Sequence, residues 1–191
     1  MGPAEKDQFG KRYFVISPFE NTDISQFKET IDAGCKLVNF ETVFSSDLYF
    51  TYPISEREVK RKQRDAVMLI RSISDSLVEH SAGEFPALLV TNQDLFTEGS
   101  DFVFGLANPE MRLAVMSTAR LARWFDGITP SIIQERILKQ VAHEVGHLTG
   151  LGHCSDIRCP MAQSRSLNDI DEKLPMLCNN CVKKLRKSRL S

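Results

Sequence analysis

Three of the four histidines in this 191-residue chain, His143, His147 and His153, fall within eleven residues, and four of its five cysteines, Cys154, Cys159, Cys178 and Cys181, fall within the last 38. Imidazole and thiolate are good ligands for borderline-soft cations, so this crowding points to metal binding. The first two histidines enclose a glutamate in His143-Glu144-Val145-Gly146-His147. On a helix, residues i and i+4 lie about 40° apart around the axis and one turn apart along it, so both imidazoles reach one ion. Glu144 sits on the adjacent arc, close enough to handle a water held by that ion and not forced to ligate. Gly150 can take the positive φ of a helix C′ position, Gly152 permits a second bend, and His153 returns six residues after His147. Three imidazoles leave one position of a tetrahedral zinc open, which is the form of a catalytic site. Chance produces H-E-x-x-H about 0.006 times in a chain of this composition, and the Gly and third His lower that to roughly 6 in a million. A helix with idle surface histidines is therefore the weaker reading.

The cysteines form C-x4-C and C-x-x-C pairs. Four thiolates so spaced suit a closed, structural zinc site. Disulfides or free thiols are the other readings, and a reducing compartment weighs against disulfides. Cys154 directly follows His153, so building the structural site should fix where His153 points. The chain is thus expected to hold two zinc ions, one catalytic and one structural.

These side chains need elements to hold them. Ile133, Ile137, Val141, Val145 and Leu148 recur at helical spacing, so one helix, opening at Thr129-Pro130 or Ser131 and ended by Gly150, should pack on a sheet and carry the first two histidines at its edge. Upstream, Arg12–Ser17, Leu37–Ser45, Pro86–Thr91, Phe102–Ala107 and Leu113–Thr118 read as strands, with Asn108-Pro109 a turn. Ile24–Ala33 reads as a short helix stopped by Gly34. Ser55-Glu56-Arg57-Glu58 is a capping box opening a helix expected to run to about His80, with Gly83 beyond its end. Past Gly150 the hydrophobic period fails, so residues 151–191 should be a small lobe that needs a metal staple, distinct from the mixed sheet and helices of residues 1–150.

Composition sets the bounds. Lys plus Arg number 24 against 25 Asp plus Glu, a net charge of -1, with 42% hydrophobic residues. That excludes a disordered chain and gives no global signature of nucleic-acid binding. Apolar runs such as Ala87-Leu88-Leu89-Val90 fall far short of the roughly 20 residues of a membrane span. The N-terminus, with Lys6, Lys11 and Arg12, shows no signal-peptide apolar region, so a cytoplasmic protein is expected; a monomer is the expected oligomeric state. Cys35 reads as a core thiol, Trp124 as a packing anchor and His80 as a surface residue near a helix end. Lys60-Arg61-Lys62-Gln63-Arg64 and the basic tail Lys183–Arg189 read as solvated.

H-E-x-x-H-x-x-G-x-x-H followed at once by Cys154, then by Cys159, Met161, Cys178 and Cys181, resembles the archaemetzincins, zinc metallopeptidases of the metzincin clan. Val90–Phe96 and Phe102–Ala107 also look similar to segments of that family. The resemblance implies an α+β fold, a metzincin-like mixed β-sheet with two long helices, plus the zinc-stapled lobe. It implies that His143, His147 and His153 hold the catalytic zinc, that Glu144 is the general base, that Met161 is the Met-turn residue beneath the metal, and that the four cysteines hold the second zinc. Gln163 stands where some metzincins place a tyrosine. No cysteine-bearing inhibitory prosegment is evident. The resemblance makes Leu113–Thr118 the candidate cleft-edge strand for an extended peptide, with an interior strand as the other reading.

The function expected is hydrolysis of peptide bonds in a peptide or protein substrate. The alternative is a zinc-stabilised binding module whose histidine site is latent. Glu144 favours the first, because a merely structural site has no use for that carboxylate.

Overall fold

A computed structural model of the chain describes residues 13–19, 21–45, 53–79, 86–123 and 127–187. Arg12, His80, Gly83, Trp124 and the end of the basic tail lie outside these residues. Strands β1 (Tyr13–Pro18), β2 (Glu41–Phe44), β4 (Ala87–Thr91), β6 (Gly105–Asn108) and β7 (Leu113–Ser117) form one sheet in the order β2-β1-β4-β7-β6. All neighbours are parallel except the β6–β7 hairpin, so the sheet is mixed. Asn108 tightens the hairpin turn by accepting the Met111 amide on Oδ1 at 3.0 Å. Two short strands, β3 (Arg64–Asp65) and β5 (Leu95–Phe96), pair separately.

Both faces of the sheet are covered. On β4 and β7, Leu88, Val90, Ala114 and Met116 join the core under helices α1 (Lys28–Leu37) and α4 (Pro130–Leu148). Their alternates, Ala87, Leu89, Leu113 and Val115, join the core under α3 (Ala66–Glu79). A strand side-chain period of 2 with both sets apolar explains why these segments read as continuous hydrophobic runs. The mixed sheet and the two long helices, α3 and α4, agree with the expected fold class.

Four local expectations are corrected. Helix α1 runs through Gly34 instead of stopping there, because that glycine is where α1 and α4 touch: a Cβ on it would lie 2.8 Å from Val141 Cβ and 2.9 Å from the Leu138 carbonyl. As a result the following strand starts only at Glu41.

The helix opened at Ser55 is α2 (Glu56–Arg61) and ends at Lys62, whose φ is 55°. Buried Glu58 closes the capping box through Ser55 N at 2.7 Å and also accepts the Asp65 amide at 2.9 Å. Asp65 then caps α3 by accepting the Val67 amide at 3.0 Å. The periodic stretch is thus two helices with separate caps, and Val59 is 64% exposed.

The two edges of the sheet are β2 and β6, and β7 lies between β4 and β6. Leu113–Ser117 is therefore an interior strand with every residue buried. Past Gly150 there is helix as well as loop: α5 (Leu167–Glu172), which opens on a Ser166/Asp169 capping box, and α6 (Asn179–Lys187), which buries Cys181 and Leu185 one turn apart. The basic run is the outer face of α6, with Lys183, Lys184, Arg186 and Lys187 exposed.

The α1–α4 contact yields a test. A side chain at position 34 meets backbone as well as Val141, so the usual gain of up to about 1 kcal/mol from removing a mid-helix glycine is outweighed. Gly34→Val should destabilise the protein by about 3 kcal/mol, the upper end of overpacking costs, read from chemical denaturation midpoints.

Candidate metal centre

Helix α4 begins where Thr129 Oγ1 accepts the Ile132 amide and Pro130 occupies the first turn, and it ends at Leu148, two residues before Gly150, whose φ is 89°. Ile133, Ile137, Val141 and Val145 are buried and hold it to the core. The same burial carries His143 and Glu144 inside, at 8% and 3% exposure. After Gly150 the chain doubles back, and Leu151 N donates to the Gly146 carbonyl at 3.1 Å.

This reversal fixes the rings. His147 Nδ1 lies 2.8 Å from the Leu151 carbonyl, and His143 Nδ1 lies 2.8 Å from the Pro160 carbonyl. A carbonyl can only accept, so both Nδ1 atoms carry the proton and both Nε2 atoms keep a lone pair for a metal. The two Nε2 atoms are 3.1 Å apart. His153 completes the group, its ring centroid 5.3 Å from that of His143 and 4.9 Å from that of His147. One ligand atom from each of the three lies within 4.8 Å of the others. A tetrahedral zinc with Zn–N near 2.1 Å holds its nitrogens about 3.4 Å apart, so the donor set fits that ion. Burial holds the His143 imidazole down to about 3 and lowers that of His147, so both are neutral, as ligation requires.

Glu144 is not aimed at the same point by default. Its Oε1 accepts from the Gln140 amide at 2.6 Å, one turn back on α4. Burial pushes its carboxyl up to about 8, against the pull of the Gln140 hydrogen bond and the Lys173 ammonium. The carboxylate lies against edge strand β6: a Cβ on Gly105 would stand 2.5 Å from Oε1 and 2.7 Å from the Val115 carbonyl. Met161 is fully buried, and its Sδ fills the space where a Cβ on Gly146 would fall.

The four cysteines are free and converge in one group that starts at Cys154, the residue after His153. Cys154 and Cys178 Sγ are 3.7 Å apart, and Cys159 and Cys181 Sγ are 3.8 Å apart. A tetrahedral zinc with Zn–S near 2.3 Å separates its sulfurs by about 3.8 Å, so this donor set fits a second ion. Cys154 N donates to the Met161 carbonyl at 2.9 Å, which stitches the residue after His153 to the turn beneath the histidines. Cys35 lies in the core, where burial pushes its thiol up.

A cleft of about 840 Å³ runs over the histidines and Glu144, with β6 along one wall and Gln163, Ser164 and Arg165 on the other. Its roof, residues 97–104, is braced from behind. Asp94 pairs with Arg120 through two hydrogen bonds of 2.8 and 2.7 Å, and Arg120 lies 3.8 Å over the Phe102 ring. Gln63 Nε2 bonds Asp94 at 2.9 Å, and Arg61 stacks 4.4 Å over Phe96 while donating to the Asp101 carbonyl at 2.7 Å. Arg61 and Gln63 are thus packed residues, not solvated ones. Gln140, Gly105, Gly146 and Lys173 carry no motif of their own. Only the glycine at position 146, inside the histidine motif, could have been read as a place of close approach.

Among known proteins, the model of peptidase family M54 matches residues 48–187. The archaemetzincin of Pyrococcus horikoshii is 44% identical over 104 residues, 53% of this chain and 55% of that protein. That of Thermococcus kodakarensis is 43% identical over 113 residues, so the chain matches 60% of its length. That of Aeropyrum pernix is 37% identical over 133 residues, 70% of each. The crystal structure of the archaemetzincin of Methanopyrus kandleri superposes with a TM-score of 0.77 at 28% identity, covering 95% of this chain and 97% of that one. A zinc-dependent peptidase of Methanocorpusculum labreanum superposes with a TM-score of 0.75 at 26% identity, covering 90% and 99%.

Two tests follow from the geometry. Gly105→Ala should displace the Glu144 carboxylate and shift β6 without touching a metal donor, so zinc uptake stays intact while any hydrolytic activity falls by about 10²-fold, the scale for losing a well-placed proton-transfer group. Metal analysis should find two zinc ions per chain, and a chelator should strip the three-histidine site first. The thiolates bind a soft cation more tightly, and no open position exposes it.

Proposed function

The chain belongs to peptidase family M54, the archaemetzincins, and from that membership and the geometry of its cleft we propose that it is a zinc-dependent metallopeptidase acting on a peptide or protein substrate. The observation that carries the reading is a buried Glu144 beside three converging imidazoles at the floor of an open cleft. His143, His147 and His153 would hold the catalytic zinc, and Cys154, Cys159, Cys178 and Cys181 a structural one. When bound, the catalytic zinc supplies Lewis acidity, polarising the scissile carbonyl and activating a water for attack.

The chain's own residues supply the rest. The Pro160 and Leu151 carbonyls keep the His143 and His147 rings in one tautomer and one orientation. Glu144 takes the proton of the attacking water and returns it to the leaving amine. Its burial suits that double duty, because a carboxyl raised from the usual range toward neutrality can both accept and release a proton there. Gln140 holds the carboxylate in place through Oε1. An extended substrate would add to the outer edge of β6, which pairs with no strand there among the described residues, and so lie along the cleft. Met161 props the floor beneath the histidines.

The test is Glu144→Gln in zinc-loaded protein, assayed on a peptide library. The wild type should cleave, and the variant should lose about 10²–10⁴ in rate while keeping both metals. A variant that cleaves at the wild-type rate removes Glu144 from the base role. A loaded wild type that cleaves no peptide favours the binding-module reading.

A further inference from the structure

Lys173 is only 4% exposed, although lysine is among the residues least often buried. It follows α5, and no carboxylate forms an ion pair with its Nζ among the described residues. The ammonium instead donates to two main-chain carbonyls, Pro160 O at 3.1 Å and Ala162 O at 2.5 Å. Those carbonyls flank Met161. The first of them is also the acceptor for His143 Nδ1, at 2.8 Å.

A buried ammonium costs several kcal/mol unless charge nearby offsets it, and two neutral carbonyls offset only part. The compensation is on either side. Burial pulls the Lys173 ammonium down to about 8, and Cys159, Asp169 and Glu144 oppose that pull. A dication held by four thiolates carries a formal charge of about −2, so the filled cysteine site is a strong anion next to this cation.

The position of Lys173 is set by the same helix that carries the histidines. Arg136 of α4 grips Asp171 through hydrogen bonds of 2.7 and 2.6 Å, which anchors α5. Lys173 N then donates to the Ile170 carbonyl at 3.2 Å, and Leu174 N to the Arg158 carbonyl at 2.7 Å. The path runs from Arg136 through Asp171 and Lys173 to Pro160 and returns to α4 at His143.

We propose that Lys173 is a positioning residue: its ammonium, balanced by the cysteine site, clamps the Pro160 and Ala162 carbonyls and so orients His143 for the catalytic metal. The inference rests on the two-zinc reading above. It makes the cysteine lobe a determinant of catalytic-metal affinity through a fixed charge and not only through the His153–Cys154 junction.

The test compares Lys173→Met, which keeps the stem and removes the charge, with Lys173→Arg, which keeps a cation. The readouts are zinc affinity of the histidine site by chelator competition and the visible absorption of cobalt placed there. With the cysteine site still filled, Lys173→Met should weaken histidine-site affinity about 10–100-fold, the usual cost of losing an outer-shell partner, and shift the cobalt bands. Lys173→Arg should recover most of the affinity. Unchanged affinity and bands in Lys173→Met overturn the proposal, as does Lys173→Arg behaving like Lys173→Met.

If Lys173→Met does not fold, wild-type protein labelled with ¹⁵N at the lysine side chains decides. One slowly exchanging ammonium should be seen, moving when zinc fills the histidine site. No protected ammonium, or one blind to the metal, overturns the proposal. A wild-type histidine site that takes up no zinc at all would instead sink the peptidase reading.

Discussion

Two imidazoles and a carboxylate on one turn of helix, His143 and Glu144 buried and His147 half-buried, must each be kept in a defined protonation state and direction. That requirement, set on α4 at His143, Glu144 and His147, explains most of what surrounds it. Burial alone would leave the polar atoms unpaired, at a cost of a few kcal/mol each. The structure answers with one dedicated partner apiece: the Pro160 carbonyl, the Gln140 amide and the Leu151 carbonyl. Two of these partners are main-chain carbonyls from the segment after Gly150, so the chain reversal that brings in His153 also orients the first two histidines.

The same requirement accounts for three glycines. α4 must sit deep enough to bury its polar turn, and it does so by close approach on three sides. Val141 packs into the space over Gly34, Met161 into the space over Gly146, and Glu144 against Gly105. At each place a methyl group would overlap a neighbouring atom. These glycines serve contact distance and not chain flexibility; none of the three has the positive φ seen at Gly150.

The segment after Gly150 buries little by itself, yet Cys159, Met161, Ile170, Cys181 and Leu185 join the core beneath α1 and α4. Its geometry is spread between a four-sulfur cluster, the Arg136–Asp171 pair and Lys173. A thiolate cluster suits this role because it orders short loops that lack a hydrophobic period. Filled with zinc as proposed, it would also bring negative charge close to the histidine site, which hydrophobic packing of the same loops would not do.

Much of the site was legible in the sequence. The spacing of His143, Glu144 and His147, the glycine turn to His153 and the two cysteine pairs are local in the chain, and helix geometry makes local spacing spatial. The caps of α2 and α4 were legible for the same reason, since Ser55, Glu58, Thr129 and Pro130 act on residues within one turn. What the tertiary structure alone decided depends on partners far away in sequence. Gly34 reads as a helix stop until Val141 occupies the space above it. The sequence places strands at both Phe102–Ala107 and Leu113–Thr118, but only the pairing of β7 with β4 makes β6 an edge. The helix expected from Ser55 to His80 breaks because Asp65 caps a second one and Glu58 reaches across the gap. Lys173, Gln140 and Gly105 have no signature, because a buried lysine, an amide and a strand glycine acquire their roles only from the carbonyls and the carboxylate that long-range packing sets beside them.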